Sequence, residues 1–575
     1  MLGIARLRQA HIGLALVGLM WVFPFLYYRH QYPLTTFDQE WWSALLGMLA
    51  VAFTMLPNPR YWQPQIPRIV QLPAALVVLV LLQSAMGLIA YFDQALLYIL
   101  YLLFALLLMM LGAHLKESLG FEKLAVILAV FLLVGAELNA AIGVLQHFHW
   151  RTPLDTVIVR AYATVYGNLA QANHFADYIA LGLISLGLLF ELRKIHVAGL
   201  VLLVLPLLFV MTLSASRSSW LYFAAMSILA WRSGAAMLLR YCLFVLAGFV
   251  LMHGIVQLPF LAGGLTTWQR FTGEDASGGI RLYLWHEAWL IFKHSPWLGA
   301  GLGQFAWQHF LLGPALHRTN ITGLYNNAHN LIFQMAAETG IAGLTVLFVA
   351  LFAWFNGLRR VAMSAAHWWA YAVLAVLGVH SLLEYPLWYS YFLAIAAILL
   401  GALDETRYRL RAASPVLMAA ILLTGMLALH QLYIGYREIK SVLADAPTAG
   451  VERTYDDLVS MHDKFILSPW ADYFASSYIQ VDAEHLNEKI AFNDKVVRFM
   501  PVAQAAYLQA YLLAQDGRMG QAKRMFEEAL WSYPDNGEEQ KQLIKLADKD
   551  PAHFASLLEF ANRTEQEYAS AIHNK

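Results

Sequence analysis

The chain has 575 residues, of which 59% are apolar and 13% charged, with a formal net charge of zero. Soluble globular proteins carry roughly 25% charged residues, so the composition excludes an ordinary soluble enzyme, and the charge balance offers no basic surface to nucleic acid. A single cysteine, Cys242, excludes a disulfide framework or a cysteine-based metal cluster within one chain.

Arg6 and Arg8 precede an apolar run that lacks a small-x-small cleavage site, so we read an uncleaved first membrane span. Apolar stretches long enough to cross a bilayer follow, giving thirteen expected spans near 11–28, 42–57, 72–91, 94–112, 124–146, 174–191, 197–214, 218–232, 240–258, 340–357, 367–384, 387–403 and 414–434. One alternating set of connections holds fifteen Lys and Arg residues in seven stretches between Arg6 and Arg411, against Arg29, Arg151, Arg160 and Arg217 in the short connections of the other set. The positive-inside rule then puts the N-terminus in the cytoplasm. An odd span count puts a long loop (about 259–339) and the C-terminus outside. In that loop, Leu284, Ala288 and Ile291 recur at helical spacing with Arg281 near the start. Pro296 should break this helix before a second short one through 303–312, both lying at the bilayer interface.

The charges divide the chain at about residue 436, since 437–575 holds 15 of the 38 basic and 22 of the 38 acidic residues. We therefore expect a transmembrane domain over 1–436 and a periplasmic, all-helical domain over 437–575. In the latter, Gly517, Ala522, Phe526, Ala529 and Pro534 fit a tetratricopeptide-like (TPR-like) repeat, and Pro469, Pro501 and Pro534 lie 32 and 33 residues apart. An irregular helical bundle is the alternative. The expected fold class is thus all-α, a polytopic membrane protein of about thirteen transmembrane helices with a C-terminal periplasmic helical domain.

Four clusters carry chemistry, all on the outer side of this topology. In Asn326-Asn327-Ala328-His329-Asn330, the residues Asn326, Asn330, Gln334 and Glu338 are four apart, which predicts one polar helical stripe with His329 beside it. Histidine suits proton transfer near neutral pH; interhelical hydrogen bonding is the alternative for the amides. In Ser214-Ala215-Ser216-Arg217-Ser218-Ser219, an arginine at the membrane edge is costly unless it meets an anion, and a guanidinium binds phosphate through a forked pair of hydrogen bonds. Arg281 is a second candidate for the same anion, and Arg270 and Arg318 are weaker ones; snorkelling and surface exposure are the alternatives. The stretch Gly167-Asn168-Leu169-Ala170-Gln171-Ala172-Asn173-His174, with Asp177 one turn on, is either a polar site or a helix start capped by Asn168 or Asn173. In His380-Ser381-Leu382-Leu383-Glu384-Tyr385-Pro386, His380 and Glu384 stand at i,i+4 and are expected to pair, while Tyr385 is either functional or an interfacial anchor. Gly299, Gly301 and Gly303 follow no strand and make no dinucleotide fingerprint, no P-loop is present, and Glu274-Asp275 reads as an exposed acidic turn.

In their order and shared sidedness, the segments GNLAQANHFADY (167–178), SASRSSW (214–220), RLYLWHEAW…HSPWLGAGLGQF (281–305), NNAHNLIFQMAAETGIAG (326–343) and HSLLEYPLWYSYF (380–392) resemble the bacterial O-antigen ligase and polymerase superfamily. They are most similar to its protein-glycosylating branch, the PglL-type O-oligosaccharyltransferases. The resemblance implies an inner-membrane enzyme. Its donor would be an undecaprenyl-pyrophosphate-linked oligosaccharide, and its acceptor a Ser or Thr hydroxyl of an exported protein such as a pilin. It implies neither ATP nor metal, and no cofactor. The family's essential histidine falls on His329, its pyrophosphate-binding arginines on Arg217 and Arg281, and its functional Gln and Tyr on Gln171 and Tyr385. Asn173, His174, Asn327, Asn330 and Glu384 are expected to support the site or bind substrate. An O-antigen ligase or polymerase with a glycan acceptor is the nearest alternative. A lipid-linked glycan transporter should carry more mid-span charge than Glu137, and a scaffold would leave the outward Arg and His clusters unexplained. Sidedness is directly testable: reporter fusions after residues 120, 235 and 408 should read cytoplasmic and those after 265 and 575 periplasmic, and a cytoplasmic C-terminus would break the argument.

Overall fold

The computed structural model describes residues 2–56, 65–160, 164–261, 277–319, 321–359, 361–409 and 415–573. Arg270, Glu274-Asp275 and Arg411 lie outside them. The chain folds into helices α1 (Leu2–Met20), α2 (Phe23–Leu26), α3 (Phe37–Met55), α4 (Gln71–Ala85), α5 (Phe92–Leu119), α6 (Phe121–His147), α7 (Ala172–Glu191), α8 (Val197–Leu213), α9 (Ser218–Ser233) and α10 (Ala236–Ile255). Then come α11 (Ser277–His294), α12 (Phe305–Leu312), α13 (Leu331–Leu358), α14 (Ala365–Ser381), α15 (Ser390–Leu403) and α16 (Pro415–Ala449). The C-terminal helices are α17 (Val451–Val459), α18 (Ser468–Ser476), α19 (Leu486–Phe499), α20 (Ala503–Gln515), α21 (Met519–Ser532), α22 (Gly537–Lys549) and α23 (Pro551–His573).

The fold is helical and polytopic. Among the described residues, eight helices are long and apolar enough to cross a membrane, and Val197–Leu213 and Ser390–Leu403 are shorter apolar ones. Among the described residues, each of the thirteen apolar stretches read from the sequence overlaps a helix, although 86–91 lies past the end of α4. One element was not expected: Gln65–Pro67 (β1) pairs antiparallel with Arg407–Arg409 (β2). Pro67 cannot donate within a helix, and the Asp404 carboxylate takes the N–H groups of Ile69 and Thr406 at 2.7 and 3.0 Å, turning the chain there.

Two compact units result. The first comprises 1–75, 101–276 and 347–429. Its core runs along α6 and α7, with α1 on α3 and α14 on α7 and α9. Phe25 stacks on Tyr178 at 4.0 Å, and the Tyr178 hydroxyl donates to the Trp21 carbonyl at 2.7 Å. Where α5 crosses α15, small residues let the backbones touch: a Cβ on Gly401 would meet the Met109 carbonyl oxygen, and one on Gly112 that of Ile398.

The second unit comprises 76–100, 277–346 and 430–575. It joins the 277–346 segment to the C-terminal helices, a grouping the division at residue 436 did not anticipate. Its main core is built on α20 and α21, from Tyr507, Tyr511, Leu512, Phe526 and Ala529. Within α13 the helix breaks at Gly340 (φ 61°, ψ −158°). The strap 296–303 lies in that break: Ala300 and Gly301 donate to the carbonyls of Ala337 and Glu338, and Ile341 and Ala342 to those of Pro296 and Trp297. Gly299 (φ 72°) is required because a Cβ there would collide with the Glu338 backbone. Gly299 and Gly340 thus serve this close approach, whereas a Cβ on Gly301 would meet the Leu88 carbonyl and one on Gly303 the Tyr98 hydroxyl.

Gly401→Leu should cost about 1–3 kcal/mol or more by overpacking, measured as a lower melting temperature in detergent. Gly378→Ala, where a Cβ meets nothing within 4 Å, should leave stability unchanged or slightly raised.

Candidate functional site

In the first unit, Gln171 opens α7. Its side-chain oxygen accepts from the His174 N–H at 2.5 Å, so Gln171 is the cap, in place of the Asn168 or Asn173 expected from sequence. Asn168 is consumed elsewhere: its amide donates to the carbonyls of Leu26 and Val157 at 2.7 and 2.9 Å and its oxygen accepts from Val159 at 3.0 Å. Asn173 stands at the centre of a relay. Its oxygen accepts from the Ser216 hydroxyl at 2.8 Å, and its amide donates to the Glu384 carboxylate at 2.8 Å. The relay fixes the turn that carries Arg217. Ala215 there has φ 55°, and half-buried Arg217 occupies the cap position of α9.

One turn below, His380 and Asp177 pair at 2.5 Å, both fully buried. The expected His380–Glu384 pair does not form. Helix α14 ends at Ser381, so Glu384 leaves the i,i+4 face and meets Asn173. His174 is buried edge-on to His380 and Tyr389, at 5.3 and 4.9 Å. Tyr385 is half-buried and stacks with Tyr389 at 5.9 Å. Gln171, Asn173, His174, Glu384, Tyr385 and the Arg217 turn therefore form one neighbourhood.

In the second unit, Leu284, Ala288 and Ile291 bury the predicted face of α11 together with Phe305, Ala328 and Ala337. Trp285 stacks on Phe333 at 5.4 Å. Arg281, half-buried, is the fifth residue of this helix, and His329 follows Ala328 of the same cluster. The predicted polar stripe is corrected: α13 begins at Leu331, so Asn326 lies before the helix. Asn330 caps the helix, accepting from Ile332 and Phe333 at 3.0 and 3.2 Å. Asn327 accepts from the His329 N–H at 2.8 Å, closing a turn in which His329 has φ 52°. Gln334 and Glu338 brace the backbone, accepting from Ala328 at 2.6 Å and Phe305 at 3.1 Å. Asparagine's readiness to bond nearby backbone explains why these residues make a turn rather than a stripe. Asn327, His329 and Asn330 are thus held on one turn.

Arg318, a weaker anion candidate, is spent internally. It is 5% exposed, and Nη1 donates to Glu287 Oε1 and to the His309 carbonyl at 3.0 Å each. His309 Nδ1 donates to Glu287 Oε2 at 2.6 Å. Sequence reading missed this trio and the Asp177–His380 pair. The available signal was charge within apolar helices, which must find a partner when buried.

The comparisons with known proteins follow the same segments. Residues 165–190 match the protein glycosylation ligase family, 199–348 the O-antigen ligase family, and 368–547 the C-terminal part of the virulence factor membrane-bound polymerase family. A general O-oligosaccharyltransferase of Acinetobacter baylyi is 27% identical over 406 residues, 68% of either chain. A ComP-specific O-oligosaccharyltransferase of the same organism is 22% identical over 337 residues, 56% of this chain and 59% of that one. The chain is a membrane glycosyltransferase, similar over 199–348 to the O-antigen ligase family. Its similarity within that class runs to the protein-glycosylating O-oligosaccharyltransferases.

The trio predicts acid sensitivity. Burial pushes the Glu287 carboxyl up, but the hydrogen bond and charges of His309 and Arg318 outweigh it and hold it below its ordinary 4.5. Burial holds His309 below its ordinary 6.5 against the pull of Glu287. Both folded values are depressed, so both contributions are complete above about pH 6.5. That of His309 fades as pH falls below 6.5, and that of Glu287 only below the glutamate range. Melting temperature should therefore drop from pH 7 to pH 4. Glu287→Gln, which strands a buried Arg318 charge at a cost of about 3–5 kcal/mol, should lower stability at pH 7 and, because His309 loses the partner that pulls its value up, leave the drop from pH 7 to pH 4 at least as steep. A shallower drop would contradict the assignment.

Proposed function

We propose the following division of labour for the O-linked transfer of a glycan to protein that this chain catalyses. The donor is an undecaprenyl-pyrophosphate-linked oligosaccharide and the acceptor a Ser or Thr hydroxyl of an exported, pilin-like protein. The acceptor oxygen attacks the anomeric carbon. The bond from that carbon to the phosphate oxygen breaks, and the electron pair leaves on undecaprenyl pyrophosphate. Arg217 and Arg281 neutralise the departing charge, which is where fixed positive groups are most useful. His329 orients the hydroxyl and takes its proton. Gln171, Asn173, His174, Glu384 and Tyr385 hold the Arg217 turn and line the donor path, while Asn327 and Asn330 hold the His329 turn. Direct displacement of this kind inverts the anomeric centre.

The reading includes thirteen spans in a bacterial inner membrane, a periplasmic face for these residues, and a periplasmic TPR-like domain at the C-terminus. The observation that carries it is that the glycosylation-ligase match contains Gln171, Asn173 and His174, while the O-antigen-ligase match contains Arg217, Arg281 and His329. The polymerase-family match over 368–547 favours a second reading, in which the acceptor is another glycan.

With purified variants, donor lipid and acceptor peptide, His329→Ala should lose about 10²–10⁴-fold in transfer, the range for a general acid–base group, while donor binding persists. Asn330→Ala should lose less. Arg217→Lys keeps the charge but not the fork and should also transfer poorly at normal protein level. Near-normal turnover in His329→Ala would remove it as the base, and full activity in Arg217→Ala would remove that residue from the mechanism. Product on a glycan with the peptide unmodified would favour the second reading.

A further inference from the structure

The segment leading to His329 is anchored on the C-terminal helices of its own unit. Phe310 of α12 enters the core formed by Tyr507, Tyr511, Leu512 and Phe526, with Trp307 and Leu311 packed alongside. Beyond α12, Arg318 Nη2 donates to the Ser532 hydroxyl at 3.0 Å, and the Gly323 N–H donates to the Ser532 carbonyl at 2.7 Å. Between these two bonds and α12, the His317 ring meets Trp531 edge-on at 5.3 Å. One residue at the end of α21 therefore holds the segment at two points, five residues apart in sequence. Two residues past Gly323, the Tyr325 ring packs edge-on against His309 at 5.4 Å. Ala328, next to His329, is buried against α11 and α12.

The chemistry of the anchor is unusual for mere adhesion. Glu287, His309 and Arg318 are 2, 1 and 5% exposed. A buried ion pair is a poor source of stability, because well-packed apolar side chains usually do as well or better. What a forked guanidinium adds is direction. It ties α11 (through Glu287), α12 (through the His309 carbonyl) and α21 (through Ser532) in one fixed geometry. A reacting group displaced by 1 Å can lose on the order of 10²-fold in rate, so a catalytic turn at the end of a loop needs such a fixture.

We propose that the C-terminal helical domain is the seat of the His329 turn and that Arg318 is its positioning residue. The domain is then part of the catalytic apparatus, since it sets where the acceptor-activating group stands. This rests on the reading of His329 given above.

The test uses the full chain with a polyprenyl-pyrophosphate oligosaccharide and an acceptor peptide. Arg318→Lys keeps the charge near Glu287 but cannot span to Ser532. Its kcat should fall on the order of 10²-fold, with KM for the donor within about twofold of the parent, a split that marks loss of an interaction used in the reaction step. Ser532→Ala should lose less, and adding it to Arg318→Lys should cause no further loss, because both remove one bond. Unchanged kcat in Arg318→Lys, or additive losses, would overturn the proposal.

A second arm does not depend on the buried charges. A Cβ on Gly313 would lie 3.3 Å from that of Trp531, near the separation of about 3.5–4.5 Å found in disulfides. In the Gly313→Cys, Trp531→Cys variant, oxidation should form the cross-link and leave turnover equal to that of the reduced form. Failure to form the bond, or turnover lost on oxidation and regained with reductant, would show that the segment is not seated there during the reaction. A His329→Ala enzyme with normal turnover would instead overturn the reading of His329. Failure of the seat alone would leave His329→Ala inactive and Arg318→Lys active.

Discussion

Taking a polar side chain out of water costs several kcal/mol unless its hydrogen bonds are replaced. In a chain this apolar, that cost determines which elements are held together. Three networks meet it. Ser216, Asn173 and Glu384 join the start of α7, the turn before α9 and the connection after α14. Asp177 and His380 join α7 to α14 one turn deeper. Glu287, His309 and Arg318 join α11 and α12 to α21. Helix packing supplies the bulk of the stability, and these networks supply register. The residues singled out for chemistry stand in or beside them.

This arrangement suits a transferase that works at the membrane edge. Around the Arg217 turn, the Glu384 carboxylate accepts from the Asn173 amide, and Asp177 pairs with His380. The His329 turn is rigid for another reason. Asn327 and Asn330 spend their side chains on backbone N–H groups, so the imidazole stands on a short, cross-braced loop rather than on a helix face.

Much of the helical content was legible because a run of about twenty apolar residues has few other solutions in a bilayer. The helix of 277–294 was legible from its spacing: Leu284, Ala288 and Ile291 recur at helical intervals, and all three are buried. The candidate residues were legible as clusters but their partners were not. His380 and Glu384 look paired in sequence only if α14 continues to 384, and it ends at Ser381. Asn326, Asn330, Gln334 and Glu338 look like a stripe only if the helix starts early, and Asn330 caps it instead. Arg318 reads as a free cation because Glu287, His309 and Ser532 are far from it in sequence. The break at Gly340 and the strap that fills it are likewise tertiary, since local spacing carries no signal of which backbone will approach a glycine.

The central claim is that this chain joins a lipid-linked glycan to a protein hydroxyl. Its most direct test is the intact mass of a purified acceptor protein after incubation with the purified full-length chain and a polyprenyl-pyrophosphate oligosaccharide. The account predicts an acceptor heavier by one oligosaccharide, carried on a Ser or Thr. An acceptor of unchanged mass, with the oligosaccharide instead extended on its lipid or joined to another glycan, would contradict it.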